Sequence, residues 1–406
     1  MPNDHPRILI YSHDSFGLGH LRRCRAIAHS MVGAMDRLSV IILSGSPIIG
    51  SFDFRPRVDF VRVPGVIKLR DGAYSSHSLS IGIEEMLRLR ASIIEHTADV
   101  FDPDVMIVDK EPLGLRGEVQ PTLEMLKERG TRLVLGLRDV MDDPASLADE
   151  WERKHAVSAL EDLYDEIWVY GKAEVHDPLE GIGVSTNVYE KILYTGYLKR
   201  DVPNGDGTAE LNPFDDEPFI LVTPGGGGDG MELVDWVLRA YEARERPLFP
   251  ALIVLGPFMP AEKQAEFKAR SETLRDVHII RFTPVIERLM MEATAIVGMG
   301  GYNIFCEILS FDKPTLLVPR VVPRREQAIR AAKAESAGLV TCLPIDDYPN
   351  VEMMVDALAE LPERAPPSAA GFEELLCGLE TINARTETIL SGRVRRPAYG
   401  RLTVVR

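Results

Sequence analysis

Residues 219–230, FILVTPGGGGDG, run from a short apolar stretch into four glycines, an aspartate and a fifth glycine. Phe219–Val222 reads as a buried strand. Past Gly230, Leu233, Trp236, Val237, Ala240 and Tyr241 fall at i, i+3, i+4, i+7 and i+8, the apolar stripe of a helix. Strand, bare loop and helix N-terminus in that order make an anion site. Free N–H groups and the positive end of the helix dipole face the loop, and glycine lets a phosphate come close.

The same alternation extends in both directions. Candidate strands before residue 200 are Arg7–Ser12, Leu38–Leu43, Val58–Val63, Val105–Asp109, Arg132–Leu137, Glu166–Tyr170 and Ile192–Thr195. After residue 218 they are Phe219–Thr223, Ala251–Gly256, Val277–Phe282, Ala295–Gly298, Thr315–Pro319 and Leu339–Cys342. Most are unbroken Val/Ile/Leu runs, as expected of parallel strands covered on both faces. Helical patterns such as Leu21–Met35 and Glu84–Thr97 lie between them, which predicts doubly wound α/β domains. The polar, Pro/Gly/Asp-rich segment 201–218 reads as a linker between a domain over 1–200 and another over 219–370. A closing helix over 371–390 has no assigned partner domain, and a basic tail follows over 391–406.

Hydrophobic residues at 45% and charged residues at 27% describe an ordinary globular chain of 406 residues. The net charge of −16 argues against nucleic acid as a partner. The tail holds five arginines and no acid, and reads as a solvated end. Four scattered cysteines without a CxxC suggest neither a zinc cage nor a disulfide framework, which fits a reducing cytosol. No apolar run approaches the ~20 residues needed to span a bilayer. A cytoplasmic protein with at most peripheral contact at the inner membrane is expected.

Each half opens with a strand, a glycine turn and a helix. In the first half the turn is HDSFGLGHLRRCRAIA, residues 13–28, with Gly17, Gly19, His13, His20 and Arg22 around it. Ligands of open α/β sheets collect outside the carboxyl ends of the strands, so two such domains should enclose a cleft between them. One loop is almost pure backbone and the other carries His20, which suggests one substrate held by phosphates and another activated by a base. Gly225, Gly227 and Gly230 satisfy GxGxxG. The acidic residue expected after the next strand is absent from ALIVLGPF, residues 251–258, which argues against NAD.

A third stretch is AIVGMGGYNIFCEILSFDKPTLLVP, residues 295–319. Its strand ends at Gly298, Gly300 and Gly301 follow, and a helix begins near Tyr302. At about 100° per residue, Asn303, Glu307 and Ser310 share one face. Glu307 is therefore expected on the polar face, either as a solvated carboxylate or as one accepting two hydroxyl hydrogen bonds from a ribose. Arginines at 320, 324, 325 and 330 follow, with Glu326 and Gln327 opening the next helix. Asp109, Lys110, Arg138 and Asp139 are expected at strand ends facing the cleft.

The order GxGH, TGY before the linker, a Gly-rich loop, then GGxxxxxE…PTLLVP…EQ resembles the GT-B glycosyltransferases of family 28 over roughly the whole chain. The resemblance implies two Rossmann-like domains, a UDP-sugar donor on the C-terminal one and a sugar or lipid-linked acceptor on the N-terminal one. It places Gly225, Gly226, Gly227 and Gly228 at the diphosphate, and Gly300, Gly301 and Asn303 beside the donor. Glu307 falls at the ribose, Glu326 and Gln327 at the donor sugar, and Arg200 at a phosphate. His20 stands at the catalytic centre. Segments 108–114 and 135–144 carry no part of the resemblance, and from their strand-end position alone Asp139 is a second catalytic candidate, while Gly17, Gly19, His13, Arg22 and Arg138 are read on the acceptor side. Transfer is expected to invert the anomeric centre, without metal or other cofactor. GLGHLRRCRAIA is also similar to the turn of a nucleotide-sugar hydrolase of pseudaminic acid synthesis. A hydrolase or epimerase, and a silent nucleotide-sugar-binding protein, therefore stay open. The acidic pI near 5.1 departs from the basic membrane patch of the lipid-linked enzymes.

Overall fold

The computed structural model describes residues 5–13, 19–68, 74–202, 212–214, 217–348 and 350–392. The first half contains β1 (Arg7–Ser12), β2 (Ser39–Ser44), β3 (Val58–Arg62), β4 (Val66–Lys68), β5 (Tyr74–Ser76), β6 (Val105–Asp109), β7 (Arg132–Arg138), β8 (Glu166–Tyr170) and β9 (Ile192–Tyr194). The second contains β10 (Ile220–Thr223), β11 (Ala251–Val254), β12 (Val277–Ile280), β13 (Ala295–Gly298), β14 (Thr315–Leu317) and β15 (Thr341–Cys342). All thirteen strands expected from the sequence are present. The short β4–β5 hairpin is additional, because three-residue strands carry too little pattern to announce themselves.

Two parallel sheets result, ordered β3-β2-β1-β6-β7-β8-β9 and β12-β11-β10-β13-β14-β15. Strands such as β6, β8, β10 and β13 are buried along their whole length, as helices on both faces require. In each sheet the first strand is flanked by its successor on one side and a later strand on the other. Ile8 pairs with both Val40 and Val105, and Ile220 with both Ala251 and Ala295. Those reversals of strand order are where an open α/β sheet leaves a crevice at its carboxyl edge. The segments that follow β6, β10 and β13 and the first turn of the helix Gly19–Ala34 therefore border one cleft.

The helix Gly378–Ser391 returns to the first domain. Asn383 Nδ2 donates to Ser30 Oγ at 2.9 Å, Arg385 bridges Glu166 at 2.7 Å, and Ile382 enters the core beside Ile27. It crosses back at a tight point, where Gly378 N donates to Tyr197 O at 3.0 Å and a side chain on Gly378 would strike that backbone. The tail residues 393–406 lie outside the described residues. Among the described residues no helix is long and apolar enough to cross a membrane.

The domains share a seam. The helix Tyr302–Phe311 packs on the helix Gly19–Ala34, with Tyr302 and Phe305 against Tyr197 at ring-centroid distances of 6.1 and 5.2 Å. Asn303, Glu307 and Ser310 do share a face, but it is turned into this seam. Asn303 Nδ2 donates to Gly19 O at 2.9 Å, and Ser310 Oγ accepts from Arg200 N at 2.9 Å.

Candidate active site

Between the two switch points lies a cleft of about 500 Å³. Its C-terminal wall is the glycine loop. Gly225 and Gly227 take φ of +82° and +85°, and Gly230 caps the helix Met231–Ala243. Gly225, Gly226 and Gly228 line the cleft. Gly227 does not: a side chain there would strike the Leu255 carbonyl, so its role is to shape the loop. Gly301, Asn303, Glu326 and Gln327 complete that wall, with Phe258, Phe282, Thr283 and Pro284 nearby. Gly300, at φ +79°, sits behind it, its carbonyl accepting from Arg330 Nη1 at 2.9 Å.

The opposite wall carries His20, in the first turn of the helix Gly19–Ala34. His20 Nδ1 is hydrogen-bonded to Asp109 Oδ2 at the end of β6. Arg23 holds the same carboxylate in a fork, Nε at 2.8 Å from Oδ1 and Nη2 at 2.6 Å from Oδ2. Burial would raise the Asp109 pKa, but Arg23 and His20 override it and keep the carboxylate ionised. Burial likewise lowers the pKa of His20 against the pull of Asp109. With Nδ1–H engaged by the carboxylate, Nε2 is the proton acceptor. This is the arrangement in which one group orients and another takes the proton.

Several expectations are corrected by these positions. Asp139 does not reach the cleft: it is fully buried, with Arg330 bidentate at 2.6 and 2.8 Å and Tyr197 Oη donating at 3.0 Å. A carboxylate with its lone pairs so engaged is a structural anchor, because freeing it would strand a buried guanidinium. Glu307 is also fully buried, not presented to the cleft, with Arg22 Nη2 at 2.5 Å and Glu287 sharing that arginine at 2.8 Å. Burial and the neighbouring Glu287 raise the Glu307 pKa to about 7 against the pull of Arg22. Helical periodicity found the polar face but not the domain that covers it.

Arg200 bonds Asn303 Oδ1 at 2.8 Å and lines a second cavity of about 710 Å³ instead of the cleft. Arg22 borders both. His13 lies behind His20, their rings edge to face at 5.7 Å, with burial lowering its pKa to about 3. Gly17 lies outside the described residues, and Gly19 lines the cleft. The His20–Asp109 pair joins residues 89 positions apart, so spacing gave no sign of it. Phe282, Thr283 and Pro284 also border the cleft, and their place just past the end of β12 is the sequence signal for it.

Charge in the cleft runs against that of the chain. Among the described residues, six lysines and arginines line it with two carboxylates, Asp229 and Glu326. Arg22 pairs with Glu287 and Glu307, Arg23 with Asp109, Lys110 with Glu111, Arg320 with Asp229 and Glu326, and Arg324 with Glu150 across the domains. Arg138, at the end of β7, has no ion pair among the described residues. Nor do the described residues contain a cluster of three or more His, Cys, Asp or Glu suited to a metal ion.

A paired-Rossmann architecture with a central cleft defines the GT-B class of fold. Residues 220–370 match the family description "Glycosyltransferase family 28 C-terminal domain", which bears out the resemblance across the second domain. No curated protein sequence matches the chain. Among solved structures it is similar to the glycotransferase of kitacinnamycin, at 16% identity and TM-score 0.58, with 95% of this chain and 97% of that one covered. It is similar to Acinetobacter baumannii MurG at 11% identity and TM-score 0.56, covering 94% and 99%. It is also similar to UDP-GlcNAc 2-epimerase from Neisseria meningitidis, bound to UDP-GlcNAc, at 13% identity and TM-score 0.58, covering 96% and 100%. At such identities the likeness is one of fold.

Proposed function

We propose that the protein is a glycosyltransferase that moves a sugar from a UDP-sugar to an acceptor hydroxyl. The observation that carries this reading is the pairing of two walls: a glycine loop at a helix N-terminus facing a His–Asp pair. The diphosphate lies against Gly225, Gly226 and Gly228, where the close backbone and the helix dipole meet the charge that grows on the leaving group. Asn303, Glu326 and Gln327 flank the donor sugar. His20 Nε2 removes the acceptor proton while Asp109 steadies the resulting imidazolium, and attack from the opposite face inverts the anomeric carbon. The nucleotide sugar is a substrate, and no other cofactor enters the scheme.

The location is cytoplasmic, with at most a peripheral membrane contact.

The test is UDP release from a panel of UDP-sugars, with and without hydroxyl acceptors. Acceptor-dependent release supports the transferase. Release with water alone makes the protein a hydrolase. A donor recovered with one inverted sugar carbon makes it an epimerase, the activity named for one structural neighbour. Binding without turnover makes it a nucleotide-sugar-binding protein.

A further inference from the structure

The segments VDKEPLG (108–114) and LGLRDVMDDP (135–144) end β6 and β7 beside His20, and the donor scheme uses neither Lys110 nor Arg138. Both side chains line the cleft. Arg138 is the one lysine or arginine of that lining without an ion pair among the described residues, and its Nε is buried with no hydrogen-bond partner. Glu326 acts on it only at longer range, since Arg320 takes that carboxylate at 2.7 Å. Lys110 stands beside it at the first position past β6, with φ of +72°, a conformation an L-residue adopts at a cost. Its backbone N–H donates to Gly136 O at 2.8 Å, which ties the ends of β6 and β7 together.

A buried guanidinium N–H donor without a partner is costly, because its hydration is lost and nothing replaces it. An oxyanion in its plane repairs this, since the guanidinium fork matches a carboxylate or phosphate in two places. The donor diphosphate is already met by the glycine loop on the other wall. Arg138 is on the wall of the base.

We propose that the acceptor carries an anionic group, a carboxylate or a phosphate, beside its reacting hydroxyl, and that Arg138, assisted by Lys110, binds it. This rests on the transferase reading, in which His20 marks the acceptor side. Arg138 is then a specificity residue: it orients the acceptor through a group that does not react.

The experiment first titrates UDP alone, then titrates inorganic phosphate, sn-glycerol 3-phosphate, glycerate and glycerol into the UDP-saturated protein, by calorimetry, on wild type and Arg138→Gln. The expected result is binding of an anion by UDP-saturated wild type, none of glycerol, and at least a tenfold weaker anion affinity in Arg138→Gln at unchanged UDP affinity. Preference for the phosphates over glycerate, or the reverse, identifies the source of the charge. Anion binding that saturating UDP abolishes, or a tenfold loss of UDP affinity in Arg138→Gln, makes Arg138 a donor contact and overturns the proposal. Absence of Arg138-dependent anion binding overturns it as well. Failure of UDP itself to bind counts against the transferase reading and is seen before any anion is added.

Discussion

Asp109 holds His20 by its Nδ1 nitrogen across the gap between β6 and the first turn of the helix Gly19–Ala34, and Arg23 holds Asp109 in turn. The imidazole is thus fixed in tautomer and direction.

His20→Ala is expected to lower turnover by ~10²–10⁴, the usual scale for lost general base catalysis, with UDP affinity unchanged. His20→Asn keeps much of the size but takes no proton, and should be nearly as poor. A base works when neutral, and burial holds His20 below its ordinary pKa, so the acidic limb of wild-type turnover should fall below pH ~6.5. The pH–rate profiles of wild type and both variants check this. Near-normal turnover in His20→Asn would restrict the residue to positioning.

Two neighbouring glycines should fail in different ways. Gly226→Val places a side chain over the cleft, in ordinary contact with Phe258, and is expected to weaken UDP binding more than uridine binding. Gly227→Val forces a side chain into the Leu255 carbonyl at positive φ, and should cost stability on the order of 1–3 kcal/mol or more. Melting temperatures and paired UDP and uridine titrations separate the cases. Equal melting temperatures would refute the distinction.

Asp139→Ala is expected to destabilise the protein by ~3–5 kcal/mol, since it leaves Arg330 buried beside an empty position. Turnover per folded molecule should stay near wild type. Urea unfolding with active-site titration measures both, and a stable but inactive variant would return Asp139 to the chemistry.

Glu307 gives a pH prediction. Its folded pKa lies near 7, above the unfolded 4.5, so the folded protein holds the extra proton between these values. Stability from this group is therefore full below pH ~4.5 and is lost as pH rises through about 7. Glu307→Gln, which mimics the protonated acid, should show a flatter stability profile over that window, whereas Glu307→Ala should be destabilised throughout. Identical slopes for wild type and Glu307→Gln, read from urea midpoints, would mean that Glu307 stays charged.

The strands were legible because parallel strands buried on both faces are written as unbroken apolar runs. The glycine loop was legible because its chemistry is local: Thr223 to Gly230 carry both the turn and the helix start. What escaped depends on two distant segments meeting. Nothing near Glu307 says that Arg22 covers it, and nothing near Asp139 says that Arg330 fills its lone pairs. Asp109 could be named as a strand-end residue and His20 as part of a glycine turn, yet their contact exists only once β1 and β6 lie side by side.

The return of Gly378–Ser391 to the first domain sets an order on biosynthesis. A ribosome delivers residues 7–194 early, but the core around Ile27 stays open until Ile382 has emerged. The second domain, whose strands end at Cys342, has all of its sheet before then. The part of the chain made first is the part completed last, and a nascent chain stalled before residue 378 carries an uncovered apolar surface for chaperones or aggregation to find.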